Sequence, residues 1–238
     1  YNETFEQNSV GIVHISLENK ILDANKKICE LLDYKKDNLL EKDISDLTHK
    51  EDLDLTNEKL TTLLKNEDIK DINLKKRCMK KDGSIIWVST TASLSYNKLG
   101  KPQYFICFIT DITLKEKIKK ELILSDIVFE NTTEGIIITN EKNKIVSVNK
   151  SFTEITGYYL SEIYGKNPRI LKSGKNTKEF YTQMWQDINK NGFFKGEIWN
   201  RKKNGEIYAE WLNISTVTNK DSQITNYVAI FSDITKIK

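Results

Sequence analysis

The segment DITLKEKIKKELILSDIVF, residues 111–129, is the one long stretch of this 238-residue chain without turn residues, and it lies near the middle. Thr113 and Glu116 have the spacing of a capping box, in which a hydroxyl caps a helix and a carboxylate three residues later bonds back. Residues at spacings of three or four then share one face of a helix: Leu114, Ile118, Leu122, Ser125 and Phe129. The sequence therefore predicts a linker helix, to which we assign residues 114–128.

The two halves of the chain repeat each other. The triplet Asp-Ile-Thr of residues 111–113 recurs at residues 233–235, and each copy closes a strand-rich block and opens a helix. Further landmarks recur in the same order: Phe5 and Phe129, Gly11 and Gly135, Asn25 and Asn149, and the turns at residues 81–83 and 203–205. Because the matches stay in order from end to end, the sequence predicts one fold used twice. We assign residues 1–113 to the first domain and residues 129–238 to the second.

The pattern within the first copy predicts an α+β domain. Two short strands, at residues 11–15 and 21–25, precede several short helices and a longer helix that opens at residue 49. Three strands follow at residues 69–79, 85–94 and 104–110, and the turn at Asp82 and Gly83 is predicted to be of type I′. Strands joined by hairpins form an antiparallel sheet, and we expect the helices to cover one face of it.

Composition excludes several classes of protein. Apolar residues make up 38% of the chain, charged residues 30%, and no apolar run approaches the roughly 20 residues that span a bilayer. The net charge of +3, with both signs interleaved, argues against a nucleic-acid partner. The three cysteines, Cys29, Cys78 and Cys107, lack metal-binding spacing, so no metal site is predicted and we expect buried thiols in a reducing cytoplasm. Since Tyr1 is not an initiator Met, we expect a fragment of a longer protein, which could carry a membrane anchor upstream.

The ordered set of motifs resembles the PAS family. The resemblance rests on the glycine before the first strand, the asparagine after the second, the hairpin turns and both Asp-Ile-Thr triplets. Residues 49–53, HKEDL, are also similar to the family's H-P-E-D-L, with Lys50 in place of proline. The resemblance implies tandem PAS (PAS/PAC) sensor domains of a bacterial signalling protein. Each would be a five-stranded antiparallel sheet with short flanking helices, and the two would be joined by the helical linker.

The second copy resembles two flavin-binding branches of the family. Residues 167–174, NPRILKSG, are similar to the flavin-contacting helix of the LOV domains, which have the photoactive cysteine where this chain has Pro168. Without that thiol, adduct photochemistry is not expected, and two polar flavin contacts of LOV domains would be lost at Glu210 and Phe231. The FAD-binding PAS domains of redox and aerotaxis sensors are the better match. That resemblance implies six cofactor-binding residues: Asn149, Asn167, Arg169, Trp185, Trp199 and Asn200.

The same residues have a simpler interpretation, because most PAS domains of this type carry no known cofactor. Trp185 and Trp199 would then be core or interface residues, and Arg169 would tie a helix to the sheet. Haem is not predicted, since neither His14 nor His49 has the position of an axial ligand. The expectation is therefore no cofactor, with FAD or FMN in the second domain as the alternative.

The sequence contains no motif of a catalytic site, so the fragment itself is expected to be non-catalytic. The main hypothesis is a sensory input and dimerisation module, which passes the state of a small-molecule ligand or partner to a downstream output domain. That domain would be a histidine kinase or an enzyme of cyclic di-GMP metabolism. The residues predicted to transfer the signal are those of the exit motifs: Asp111, Thr113, Asp233 and Thr235.

Two rival hypotheses remain open at this point. One is a flavin-binding redox sensor that reads through the second domain, and the other is a dimerisation scaffold with no ligand. A homodimer formed through the helices is expected under all three hypotheses, because Leu114, Ile118 and Leu122 form an apolar stripe. The alternative for that stripe is a helix packed on its own sheet.

Overall fold

The computed structural model describes residues 5–40 and 42–237, and the chain divides into two compact units, one up to Glu121 and one from Leu122 onward. In the first unit the strands are β1 (Gly11–Ser16), β2 (Ile21–Ala24), β3 (Asp71–Met79), β4 (Ile85–Tyr96) and β5 (Pro102–Asp111). Its helices are α1 (Lys26–Leu32), α2 (Lys36–Leu39) and α3 (Leu53–Lys65), with 3₁₀ turns at Ile44–Leu47 and Lys50–Asp52. Helix α4 (Thr113–Asn131) follows and includes the predicted linker at residues 114–128.

The second unit repeats this order of elements. Its strands are β6 (Gly135–Asn140), β7 (Ile145–Val148), β8 (Phe193–Arg201), β9 (Ile207–Thr218) and β10 (Ile224–Asp233). Its helices are α5 (Lys150–Thr156), α6 (Leu160–Ile163) and α7 (Lys178–Asn191), with 3₁₀ turns at Pro168–Leu171 and Thr235–Ile237. No helix in the part of the chain that the structure describes is both long and apolar enough to cross a membrane.

Both sheets are five-stranded and fully antiparallel, and they share one topology. The strand order is β2-β1-β5-β4-β3 in the first and β7-β6-β10-β9-β8 in the second. The strand that closes each domain therefore lies in the middle of its sheet, between the first strand and the fourth. The α+β prediction is confirmed for both copies, and in each the helices and one sheet face enclose an apolar core.

A buried asparagine joins three elements at the start of each domain. In the second domain, Asn149 Oδ1 accepts hydrogen bonds from Ile136 N at 2.8 Å and Phe152 N at 2.9 Å. Its Nδ2 donates to the carbonyl oxygens of Phe129, at 3.0 Å, and Glu134, at 2.9 Å. Asn25 makes the equivalent bonds in the first domain. The matching asparagines therefore fix the end of the preceding helix, the first strand and the next helix against one another.

Two local predictions were wrong. Gly83 has φ of +84°, but Asp82 is not among the residues with positive φ, whereas a type I′ turn requires both. Gly83 N donates to Lys80 O at 3.0 Å, which makes this a type I turn that ends in a glycine bulge. The capping box is also absent, because Thr113 Oγ1 accepts a hydrogen bond from Trp87 N at 3.0 Å and Glu116 pairs with Lys75 at 3.0 Å. At Thr113 and Glu116, residues of neighbouring strands replace the local partners that the spacing suggested.

An ion pair anchors the start of α3, and it should make the first domain acid-sensitive. Asp52 accepts hydrogen bonds from Arg77 Nη2 at 2.7 Å, Nε at 3.0 Å and the backbone N at 2.7 Å, and these bonds lower the pKa of Asp52. A carboxyl whose pKa is lower in the folded state than the ~3.9 of the unfolded state stabilises the fold above that value. This stabilisation is lost as the pH falls through the lowered folded pKa.

We expect Asp52→Asn to unfold at a lower temperature than the parent at pH 7, and the gap to narrow as the pH falls below about 4. Asp54→Asn, an exposed acid at the start of the same helix, is the control and should differ little from the parent at any pH. Thermal unfolding from pH 3 to pH 7 makes the comparison. A gap for Asp52→Asn that stays constant with pH would show that the ionised carboxylate is not the cause.

Candidate functional site: a cavity in the second domain

A cavity of about 470 Å³ lies between the sheet of the second domain and its covering helices. That volume is within the range of small-molecule sites in proteins, about 300–1,000 Å³. The sheet supplies the inward-facing residues of β6, β8, β9 and β10, and α7 with the 3₁₀ turn at Pro168–Leu171 supplies the opposite wall. The apolar lining residues are Ile137, Leu171, Met184, Ile198, Leu212, Ile214, Ala229 and Phe231.

The first domain has almost no free volume in the corresponding place. Its cavity measures about 20 Å³, which is room for one water molecule. Lys76 lines this small cavity from β3, whereas Ile198 occupies the equivalent position on β8 and lines the large cavity. The two domains therefore share one fold but differ in their interiors, and the second is the one that can hold a small molecule.

The polar centre of the large cavity is Glu210 on β9. Its side chain is 2% exposed, and Asn200 Nδ2 donates a hydrogen bond to its Oε1 at 2.8 Å. The other oxygen, Oε2, has no hydrogen-bond partner in residues 5–40 and 42–237. Burial raises the pKa of Glu210 to about 7, and the neighbouring Tyr208 hydroxyl and Asn200 amide offset only part of this effect. Glu210 thus places a buried carboxyl group with few protein partners on the wall of the cavity.

Two further hydroxyl groups in the cavity lack partners within the described ranges. They belong to Thr139 on β6 and Tyr181 on α7, and both residues line the same space as Glu210. Burial and the nearby Glu210 raise the pKa of Tyr181. Since buried polar groups are rarely left without hydrogen bonds, these three groups are available to water or to a ligand that enters the cavity.

The mouth of the cavity is basic. Lys142, Arg169 and Lys172 line it, and Lys172 Nζ lies 3.6 Å from the centroid of the Tyr181 ring. Asn167 holds the rim together, because its Oδ1 accepts from Arg169 N at 3.0 Å and from Nε at 3.2 Å, and its Nδ2 donates to Asn143 O at 3.1 Å. These three cations outnumber the one carboxylate at the rim, Glu141, whereas the carboxyl group of Glu210 is buried inside the cavity.

Four of the six residues named as cofactor-binding line this cavity: Asn167, Arg169, Trp185 and Asn200. Trp185 packs edge-on against Tyr227, with ring centroids 5.6 Å apart. The lining residues do not include Asn149, whose amide is taken up by the backbone bonds described above, or Trp199, whose ring lies 3.7 Å from Lys175 Nζ. The roles of all six as ligand contacts remain predictions.

Sequence reasoning missed the polar groups at the centre of the cavity. Glu210 had been noted only as a lost flavin contact, and Thr139 and Tyr181 had not been noted at all. The alternation of β9 carries a usable signal, since Glu210, Leu212 and Ile214 share one inward face while Trp211 is exposed. An acidic residue on the same face of a strand as its apolar residues is expected to be buried. Buried acidic residues are rare unless they are paired or functional.

The exit motifs have the same geometry in both domains. Asp233 Oδ1 accepts a hydrogen bond from Thr235 N at 2.9 Å, and Thr235 Oγ1 accepts one from Ala209 N at 3.0 Å. In the first domain Asp111 and Thr113 repeat these bonds, with Trp87 in the place of Ala209. Burial acts to raise the pKa of Asp233, but hydrogen bonds from Thr235 and Lys202 lower it on balance.

The exit motif of the second domain adjoins the cavity. Glu210 is the cross-strand neighbour of Asp233, and the residue before it, Ala209, bonds to the exit segment through both backbone groups. Its N donates a hydrogen bond to Thr235 Oγ1, and its O accepts a hydrogen bond from Ile234 N at 2.9 Å. The side chain that faces the cavity is therefore one residue from the point at which the exit segment is attached.

Comparison with known proteins agrees with this architecture. A family model described as "PAS domain" matches residues 133–236, and one described as "PAS fold" matches residues 21–109. The chain belongs to the PAS family and contains two PAS domains in tandem. A PAS domain structure from Colwellia psychrerythraea covers 48% of this chain and 98% of its own, at 22% identity and a TM-score of 0.46.

Relatives of known role are sensor and regulatory proteins. A "Nitrogen fixation regulatory protein" of Klebsiella oxytoca is 30% identical over 105 residues, which are 44% of this chain and 21% of that protein. The "Oxygen sensor protein DosP" of Escherichia coli is 25% identical over 240 residues, 97% of this chain and 29% of that protein. The chain thus spans about a fifth to a third of the length of these relatives.

Proposed function

We propose that this chain is the sensory input segment of a signal-transduction protein, and that its second PAS domain binds a small molecule in the cavity around Glu210. The observation that carries the proposal is the 470 Å³ cavity lined by the buried carboxyl group of Glu210. The carboxylate oxygen that lacks a partner can accept a hydrogen bond from an N–H or O–H group of a ligand. An anionic group of the ligand would lie at the basic mouth beside Arg169 and Lys172.

The signal would leave through the attachment of the exit segment to Ala209. A ligand that bonds to Glu210 changes the position or charge of a side chain next to that attachment, and Thr235 and Asp233 respond through their hydrogen bonds. Only a coupling of about 1–3 kcal/mol is needed to bias a downstream domain. We propose that this domain is a histidine kinase or an enzyme of cyclic di-GMP metabolism, as in the sequence-based hypothesis.

Filling the cavity should abolish ligand binding without unfolding the domain. Ala229 lies on the cavity face of β10, so the indole ring of Ala229→Trp would fill the space proposed for the ligand. We expect the parent protein to retain its ligand during purification and Ala229→Trp to lose it. Val228→Trp is the matched control, since it adds the same ring at the preceding residue of the strand, which lies on the other face of the sheet. Denaturation followed by mass spectrometry of the released compounds measures both.

This experiment distinguishes a ligand-binding domain from a ligand-free dimerisation scaffold. A compound released by the parent and by Val228→Trp, but absent from Ala229→Trp, supports the proposal. If no preparation of the parent releases a compound, and none of FAD, FMN or a panel of donor-bearing heterocycles raises its unfolding temperature, the ligand-free scaffold is the correct description.

A flavin is the second candidate ligand, because Asn167, Arg169 and Trp185 all reach the same cavity. An aromatic wall and a cationic mouth suit a flat ring system with a phosphate tail. A yellow protein on reconstitution with FAD or FMN, colourless when Ala229→Trp is present, would establish the redox-sensor alternative. A parent protein that takes up neither flavin would exclude it.

We also propose a homodimer formed through α4. No residue of this helix is buried, and its exposed apolar residues are numerous: Leu114, Ile118, Leu122, Ile123, Leu124, Ile127 and Val128. Exposure of 70% at Leu114 and 66% at Leu122 disfavours packing of this face on the domain's own sheet. Leu122→Glu is expected to shift the chain from dimer to monomer in sedimentation, whereas Lys119→Glu is not. A parent that sediments as a monomer at all concentrations would contradict the proposal.

A further inference from the structure

Lys76 is a buried cation without a counter-charge. It lies on the inward face of β3 in the first domain, is 3% exposed, and its Nζ donates one hydrogen bond, to Thr48 Oγ1 at 2.9 Å. The hydroxyl of Thr48 in turn donates to Ile44 O at 2.9 Å, so the accepting oxygen is neutral. None of the carboxylates in the described ranges forms a salt bridge with Lys76. Two of the three N–H donors of the ammonium group are therefore unused.

The free donors have a cavity available to them. Lys76 and Thr90 line the space of about 20 Å³ in the first domain, together with apolar side chains and Cys107. Thr90 Oγ1 is buried and makes no hydrogen bond in the described part of the chain. Burial raises the pKa of Cys107 to about 12, so its sulfur is a neutral thiol and provides no negative charge. The cavity thus holds two unpaired donor groups and room for a particle the size of one water molecule.

Physical chemistry decides what occupies it. An ammonium group in an apolar interior is unfavourable without an opposite charge beside it, and a water molecule would leave its charge uncompensated. A monoatomic anion compensates the charge and accepts hydrogen bonds from both donors. We propose that the first PAS domain binds one small monovalent anion, chloride or an ion of similar size, between Lys76 Nζ and Thr90 Oγ1.

The proposed anion site is specific to the first domain and independent of the ligand proposed for the second. Val88 pairs with Asp111, as Glu210 pairs with Asp233, which makes Lys76 and Ile198 equivalent positions on their strands. Ile198 has no charge, so the second domain lacks the cation. The duplicated fold therefore carries two different interiors, one for an ion and one for an organic molecule.

The cysteines supply a probe that reports on the first domain alone. All three, Cys29, Cys78 and Cys107, lie in that domain, and Cys78 and Cys107 are buried. Reaction of Cys78 and Cys107 with a thiol reagent in dilute denaturant requires the domain to open, and their labelling is followed separately from that of the partly buried Cys29. Since an ion that binds only the folded state slows opening by the factor 1 + [anion]/Kd, replacing gluconate by chloride at constant ionic strength should slow the reaction roughly tenfold at ten times Kd.

Lys76→Met removes the charge and keeps the length of the side chain, and its labelling rate should be the same in chloride and gluconate. Lys75→Met, on the outward face of the same strand, should respond to chloride as the parent does. Equal labelling rates of the parent in the two salts would overturn the proposal.

A second measurement does not depend on any variant. Crystals of the chain grown or soaked in bromide should show an anomalous-scattering peak within hydrogen-bonding distance of Lys76 Nζ and Thr90 Oγ1. A water molecule or no density at that position, in crystals that bind bromide elsewhere, would show that Lys76 is not an anion ligand.

Discussion

Glu210→Gln is expected to make the second domain more stable than the parent at pH 8, while at pH 5 the two should differ by less than about 1 kcal/mol. Burial raises the pKa of Glu210 from an ordinary 4.5 to about 7, so the folded state resists its ionisation. The cost of ionising Glu210 in the folded state lowers the free energy of unfolding of the parent. This cost is absent below the pKa of the unfolded state and is fully present above the pKa of the folded state, where it amounts to about 3 kcal/mol. Glutamine keeps the shape and the acceptor for Asn200 but cannot ionise.

Urea unfolding followed by tryptophan fluorescence tests this prediction, because Trp185, Trp199 and Trp211 lie in the second domain and only Trp87 in the first. Glu179→Gln, an exposed acid at the start of α7, is the matched control and should behave like the parent at both pH values. If Glu210→Gln gains no stability between pH 5 and pH 8, the carboxylate is ionised without cost. A bound cation or donor would then be its partner.

Gly135→Ala should destabilise the second domain by about 2–3 kcal/mol more than Gly11→Ala destabilises the first. A methyl group at Gly135 would overlap the ring of Phe231, coming within 2.7 Å of Cε1 and 2.8 Å of Cε2. That ring is 2% exposed and packs edge-on against Phe152, with centroids 5.9 Å apart, so it can yield only by giving up this packing and turning toward the cavity that it lines. Overpacking of a rigid core typically costs 1–3 kcal/mol or more.

The repeat provides the control for this substitution. Gly11 occupies the equivalent position, but a methyl there would meet its nearest atoms, Ile109 O and Ile28 Cδ1, at 3.1 Å, which small shifts can relieve. Combining Gly135→Ala with Phe231→Leu should recover part of the loss, because the smaller side chain leaves room for the methyl group. Equal losses at the two glycines would mean that Phe231 is not the obstacle.

The architecture could be predicted from the sequence because the chain contains the same fold twice. Each strand and helix of the first copy lies within a few residues of its predicted place, and the repeat transferred these positions to the second. Alternating apolar residues determine strands independently of their partners, and turn residues separate them. The five-stranded antiparallel sheet was what the PAS resemblance implied, whereas the order of the strands was not predicted.

The sequence did not predict contacts that depend on elements far apart in the chain. Thr113 has the spacing of a capping box, yet it bonds to Trp87 on a neighbouring strand. The sequence did not predict the cavity either. Its size depends on how completely the side chains of four strands and one helix fill the space between them. Lys76 and Ile198 stand at equivalent positions, and only the folded domains show that one is buried without a counter-charge and that the other borders an open cavity.

Hydrogen exchange at the amides of Ala209 and Ile234 tests the central claim, that the cavity of the second domain is coupled to its exit segment. Ala209 N donates to Thr235 Oγ1 and Ile234 N to Ala209 O, so both amides report on the attachment next to Glu210. Exchange is compared for the parent with and without the compound recovered from it, with Trp87 and Ile112 of the first domain as internal controls. We predict that occupation changes protection at Ala209 and Ile234 and leaves Trp87 and Ile112 unchanged. Unaltered exchange at Ala209 and Ile234 in the presence of a saturating bound compound would contradict the account.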